Sequence, residues 1–155
     1  MENIKQAAFK SKCEDRCTRE TKELVAYIDG CAYKCPKCDA VVLLDETEYS
    51  TLACIYSDIE EIEKKCEDCN NLCTFERIGV SDYFEHPIDI EYRVGEEKEY
   101  RGVRVMMDDG PAIYIDTQAE EVQLSWDGVN VTRKISLYAV DAINDYFQWR
   151  YDCIQ

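Results

Sequence analysis

Cys31-Ala-Tyr-Lys-Cys-Pro-Lys-Cys-Asp-Ala-Val-Val-Leu-Leu44 sets three thiols, Cys31, Cys35 and Cys38, directly in front of an aliphatic run. Working outward, Cys66-Glu-Asp-Cys69 with Cys73 and the pair Cys13 and Cys17 bring eight of the ten cysteines into three tight groups. Thiols two or three residues apart aim at one point, which a tetrahedral thiolate site for Zn2+ requires. Cys35, Cys38, Cys66 and Cys69 are the first-choice ligand set, because two CxxC units close four positions. Cys13, Cys17, Cys31 and Cys73 are candidates for a second site, and the spacing alone leaves the grouping open. Cys54 and Cys153 stand apart and read as small hydrophobes.

The segments around these thiols set the expected fold. Residues Glu2 to Thr21 are polar and read as a helix with Cys13 and Cys17 on a shared face. Glu23-Leu-Val-Ala-Tyr-Ile-Asp29 reads as a strand ended by Gly30, Tyr33 to Cys38 as a tight loop, and Asp39 to Leu44 as a returning strand. Strand, Cys-Pro-x-Cys loop, strand is the pattern of a zinc knuckle. Ser57-Asp-Ile-Glu60 has the form of a capping box. Ile59, Ile62, Cys66, Cys69 and Cys73 follow at helical spacing, so an acidic helix is expected, with Glu60, Glu61, Glu63, Lys64 and Glu67 facing water.

Beyond Pro87 the period becomes two. Runs at 88–94, 100–107, 112–116, 122–126 and 129–133 alternate apolar and polar residues. Asp127-Gly128 between the last two is a strong hairpin signal. Ser136 can cap a final helix whose stripe is Val140, Ile143, Phe147 and Tyr151. The fold class is therefore α+β: a Cys-rich, zinc-stabilised subdomain over 1–76, then an antiparallel meander with a C-terminal helix over 77–155, packed as one compact unit. No internal repeat is read from the chain.

Charge narrows the function. Eighteen Lys and Arg stand against 33 Asp and Glu, a formal −15 over 155 residues. Residues 1–22 hold six basic and four acidic side chains, so everything after them carries −17. Four thiolates around a divalent ion would add a further −2. Such a field repels nucleic acid, whose binding draws on Lys and Arg at phosphates, and suits a protein with a basic groove. Glu60, Glu61, Glu63 and Glu67 are one candidate partner-binding patch, and Glu96, Glu97, Glu99, Asp108 and Asp109 at expected hairpin ends are another. The absence of a leading apolar segment and of any run near ~20 apolar residues sets the expectation of a soluble cytoplasmic protein with reduced thiols, and no membrane contact.

Catalytic readings are weaker. Cys31-x3-Cys35-x2-Cys38 has radical-SAM spacing, but the chain is short for that barrel and Lys37 stands where an aromatic is usual. A glutaredoxin-type pair would need a helix after Cys38, where a strand is expected. A nucleobase deaminase would need a His-x-Glu upstream, whereas the single histidine, His86, lies downstream in a loop. No phosphate-binding glycine loop is present, and Asp108-Asp109 or Glu120-Glu121 as Mg2+ ligands are what chance gives in so acidic a chain. No catalytic residue is assigned, and a non-enzyme is expected.

A short, acidic, Cys-rich chain of this kind resembles the anti-CRISPR proteins of phages and mobile elements, in particular metal-binding inhibitors of Cas9. The Cys31–Cys38 and Cys66–Cys73 clusters and the expected acidic helix Asp58–Asp68 carry that likeness, which is one of type, and the run Gly102–Asp116, with Val122–Trp126 and Tyr138–Tyr151, has the look of small mobile-element proteins. The resemblance implies a protein of a bacterial host's cytoplasm that binds the effector and blocks loading of guide or target DNA. The alternative is a zinc-ribbon regulator or accessory factor that touches nucleic acid through residues 1–22.

Overall fold

The computed structural model describes residues 2–44 and 60–154. Within them the chain divides into two compact units: residues 1–25 with 84–155, and residues 26–83. The boundary expected after residue 76 thus falls after Tyr83, and most of the N-terminal helix belongs with the C-terminal sheet rather than with the thiol-rich segment.

Helix α1 (Glu2–Ile28) is longer than expected, and the strand anticipated over Glu23–Asp29 is its continuation. Extending an existing helix adds one hydrogen bond per residue fixed and needs no new nucleus, so it outweighs the strand preference of Leu24-Val-Ala-Tyr-Ile28. Leu24 is fully buried, in phase with the buried Cys13 and Cys17. The helix stops at Gly30, whose φ of 77° is the left-handed conformation that glycine adopts without strain. Cys31 N–H donates to Ala26 O at 2.8 Å and Gly30 N–H to Tyr27 O at 3.4 Å, the paired bonds of a Schellman cap.

In the first unit, five strands form an antiparallel meander in chain order: β5 (Asp89–Val94), β6 (Tyr100–Asp109), β7 (Ala112–Asp116), β8 (Glu121–Trp126) and β9 (Val129–Lys134). Each lies within two residues of its sequence assignment at either end. The Asp127-Gly128 turn has φ of 46° and 83°, the double positive pair that matches strand twist. Ile90, Val105, Ile115 and Val122 stand opposite one another across four strands. Helix α3 (Leu137–Cys153) begins at Ser136, whose hydroxyl accepts the Ala139 N–H, and it buries Val140, Ile143, Phe147 and Tyr151 as expected. Phe147 lies 4.9 Å from Phe84 and 6.3 Å from Tyr92, ring to ring. On α1, the Cys17 thiol reaches the Val122 carbonyl at 3.6 Å, and Arg133 Nε donates to Thr18 Oγ1 at 3.0 Å.

A part-buried ion pair pins the corner after β7. Arg93 donates to both carboxylate oxygens of Asp116, at 2.8 and 2.9 Å, while Gln118 and Ala119 each donate an N–H to Asp116 at 3.0 Å. Burial pushes the Asp116 carboxyl up, but Arg93 and the two amides more than offset it and hold the group below its ordinary range.

The second unit contains two hairpins in one sheet of order β2-β1-β4-β3, built from β1 (Ala32–Lys34), β2 (Val41–Leu43), β3 (Glu61–Lys65) and β4 (Leu72–Ile78). Short helix α2 (Val80–Tyr83) follows. The acidic helix expected over Asp58–Asp68 is corrected: Glu61–Lys65 is a strand paired with β4, from Glu61 opposite Glu76 to Lys65 opposite Leu72. Its capping box at Ser57 lies outside the described residues, as does Cys54. Alternation on β4 turns Cys73 and Phe75 inward and Leu72, Thr74 and Glu76 outward. The core holds Tyr33, Cys35, Leu44, Cys66, Cys73 and Phe75.

Candidate metal centre

Each hairpin of the second unit is closed by a CxxC turn, and the two turns are built alike. In the first, Cys35 N–H donates to Ala40 O at 2.8 Å and Asp39 N–H to Cys35 O at 3.0 Å. In the second, Cys66 N–H donates to Asn71 O at 2.9 Å and Asn70 N–H to Cys66 O at 2.8 Å. The residue after the second cysteine has positive φ in both, 62° at Asp39 and 61° at Asn70. Asp and Asn are the side chains that tolerate this region best after glycine. The chain therefore does contain a local repeat, Cys-x-x-Cys-Asp/Asn between two strands, that its overall pattern conceals.

These turns carry four sulfur atoms to one place. The Sγ atoms of Cys35, Cys38, Cys66 and Cys69 all lie within 4.8 Å of one another. Cys38 and Cys66 approach to 3.5 Å, and Cys35 and Cys69 to 3.9 Å. A metal–sulfur bond of about 2.3 Å gives a tetrahedron whose sulfur–sulfur edge is about 3.8 Å, so the separations suit a single ion held by four thiolates. An iron–sulfur cluster would spread its thiolates over several iron atoms, a wider arrangement than this one. The group is thus arranged to hold one metal ion.

The backbone prepares the site for negative charge. The Asn71 backbone N–H, then its side-chain amide, pull the Cys69 thiol down to about 6. Burial opposes ionisation of Cys35, yet the Cys38 and Lys37 amides win and lower it as well. Cys38 goes the other way. The Ala40 amide pulls it down, but hydrogen bonds to Cys66, Cys35 and Cys69 and burial push it up to about 12. Before metal arrives the sulfurs share protons, and an ion that takes the four thiolates displaces them.

The remaining cysteines have other surroundings. Cys13 and Cys17 are buried in the first unit beneath the meander, and burial raises both thiols. Cys31 follows the Schellman cap, its thiol 3.9 Å from the Asp29 carbonyl. Cys73 is buried in the same core cluster as Cys35 and Cys66; burial, then the neighbouring Cys35 and Cys69 sulfurs, push its thiol up to about 11. The only ligand group among the described residues is the Cys35, Cys38, Cys66, Cys69 set, so the second site expected from Cys13, Cys17, Cys31 and Cys73 is not assembled there. Cys153, read as a small hydrophobe, is exposed on the last turn of α3.

The acidic candidates are spread over both units. Glu61 and Glu63 point outward from β3, Glu60 precedes it and Glu67 sits in the second knuckle, all exposed. Glu96, Glu97 and Glu99 occupy the exposed β5–β6 turn, where Arg101 holds Glu99 at 2.7 Å. Asp108 accepts from Arg16 at 3.4 Å and from the Asp109 N–H at 2.8 Å, so it fixes a turn, beside exposed Asp109. His86 is exposed, with its neighbour Glu85 at 3.9 Å. No helix among the described residues is long and apolar enough to cross a membrane. Compared with known proteins, the chain matches no family model, no curated protein and no solved structure.

Proposed function

We propose that this chain is a non-enzymatic binding protein whose thiol-rich unit is stapled by Zn2+ and which acts by occupying a basic surface of another protein. The observation that carries the metal half is the compact four-sulfur group. Four protein ligands fill every position of a tetrahedral ion, as in structural zinc sites, whereas catalytic zinc keeps one position for water or substrate. Two facing knuckles at the ends of paired hairpins also suit a zinc-ribbon-like role, a likeness of arrangement that by itself names no activity.

Charge supports the partner half. Residues 26–83 carry 13 acidic and five basic side chains, a formal −8 before any thiolate is counted. Its β3 edge presents Glu61 and Glu63, which favours association with Lys- and Arg-rich surfaces and makes it salt-dependent. The narrowest form of the reading is inhibition of a CRISPR effector of the Cas9 type, carried by the resemblance of composition. Elemental analysis of the purified protein, expected at one zinc per chain, tests the first half. Capture of purified Cas9 that weakens with salt and with Glu61→Lys/Glu63→Lys tests the second; no capture at low salt removes that form.

The nucleic-acid alternative has one observation in its favour. Lys5 and Lys10 line a cleft of the first unit with Phe9, which packs edge-on to Trp126 at 5.2 Å. A gel shift abolished by Lys5→Ala/Lys10→Ala would establish it in place of the protein-binding reading.

A further inference from the structure

Helix α3 buries Val140, Ile143, Phe147 and Tyr151 and turns a second stripe away from them. Tyr138, Asp141, Asp145, Trp149 and Asp152 are all exposed, and at about 100° per residue they share an arc of about 80°. Tyr138 and Trp149 are 66% and 64% exposed and stand about 16 Å apart along the helix axis. Trp149 is nevertheless held in place. Its ring stacks on Tyr146 at 6.5 Å and 28°, and Tyr146 stacks on the fully buried Phe84 at 6.2 Å and 18°. This stack runs from the core to the surface, so Trp149 has little freedom left to lose on docking. A large, rigid aromatic side chain open to solvent is what an interface anchor requires.

Charge says what docks there. Among the described residues, Asp141, Asp145 and Asp152 form no ion pair. The one cation of α3, Arg150, lies off the stripe, over the Tyr146 and Phe147 rings at 5.8 and 5.7 Å. Asp152 in the last turn opposes the helix dipole, so the stability of the helix does not call for it. Carboxylates set between two aromatic faces are complementary to guanidinium groups, which pair with the first and stack flat on the second. A second copy of this chain would bring like charge against like at a formal −15 per chain, and nucleic acid is repelled in the same way.

We infer that the outer face of α3 docks an arginine-rich surface of another protein, with Trp149 and Tyr138 as anchors and Asp141 and Asp145 as the pairing carboxylates. The inference rests on the basic-partner reading above and adds to the β3 edge a second contact, one that selects arginine.

The test is binding of the full chain to a fluorescein-labelled helical peptide with arginines at i, i+4, i+7 and i+11, read by anisotropy at fixed, low salt. Trp149→Ala and Asp141→Lys/Asp145→Lys are each expected to weaken binding about tenfold or more. Glu96→Lys/Glu97→Lys, which changes the net charge as much as the aspartate pair does, is expected to weaken it less than about threefold. The same peptide with lysine for arginine is expected to bind about tenfold more weakly, having lost the stacking. Equal losses in the two charge-reversed pairs, or equal binding of the lysine peptide, would overturn the α3 site and leave the basic-partner reading standing. A chain that binds neither peptide would overturn both. A dimer in sedimentation that Trp149→Ala disperses would put a second copy on this face and overturn the arginine partner.

Discussion

Removing the metal is expected to unfold residues 26–83 and leave the meander intact. In the core of the thiol-rich unit, among the described residues, Tyr33, Leu44 and Phe75 are the large buried side chains, and the other three members are cysteines. Burying a large apolar side chain is worth about 1.5–3 kcal/mol, so these three contribute about 5–9 kcal/mol. A structural zinc ion contributes about 10–16 kcal/mol in comparable small units, more than that core and as much as the whole stability of an ordinary domain.

The molecule supplies its own probes. Its two tryptophans, Trp126 and Trp149, both belong to the first unit, so their fluorescence reports on the meander and α3 alone. On chelation in reducing buffer, amide exchange in β1 to β4 is expected to rise to unfolded rates. Exchange in β5 to β9 and the tryptophan emission are expected to stay native, and restored Zn2+ to reverse the loss. Persisting protection of the Thr74 to Arg77 amides after full metal removal would refute the reasoning, because it would show that three side chains suffice.

Three further outcomes follow from the geometry. Phe147→Ala removes a fully buried ring packed on Phe84 and Tyr146 and is expected to cost about 3–5 kcal/mol in thermal or denaturant unfolding followed by tryptophan emission; a loss under about 1 kcal/mol would refute the packing. Asp116 has a native pKa below its ordinary 3.8, so its stabilisation is complete above that value and is lost as pH falls through the native one. Asp116→Asn is therefore expected to be less stable by about 1–3 kcal/mol at pH 7, discounting for the partial exposure of Arg93, with the gap closing as pH falls below the ordinary carboxylate range; a gap independent of pH would contradict the ion pair. Asn70→Gly is expected to leave metal affinity unchanged and Asn70→Val to weaken it about tenfold, since a β-branched residue at φ of 61° costs about 1–3 kcal/mol; equal affinities would show that the turn relaxes.

The sheet half was legible because its signals are local. Val122-Gln-Leu-Ser-Trp126 alternates in and out, Asp127-Gly128 reverses the chain, and Ser136 starts a helix whose four stripe residues are buried. The thiol half was legible in its ligands but not in its strands. Ile62, Cys66, Cys69 and Cys73 recur every three or four residues, which is the period of a helix face. The same recurrence arises when an inward strand position at Ile62 leads into a CxxC turn and Cys73 resumes the inward face on the return strand. Hydrophobic periodicity cannot separate the two, because the turn resets the phase of the alternation. What separates them is the residue after each second cysteine. A helix interior disfavours Asp39 and Asn70, whose side chains compete for backbone hydrogen bonds, whereas a knuckle needs a residue that accepts positive φ there. Two CxxC units each followed by such a residue are one device used twice, and the second should be read by the rule that made the first plain.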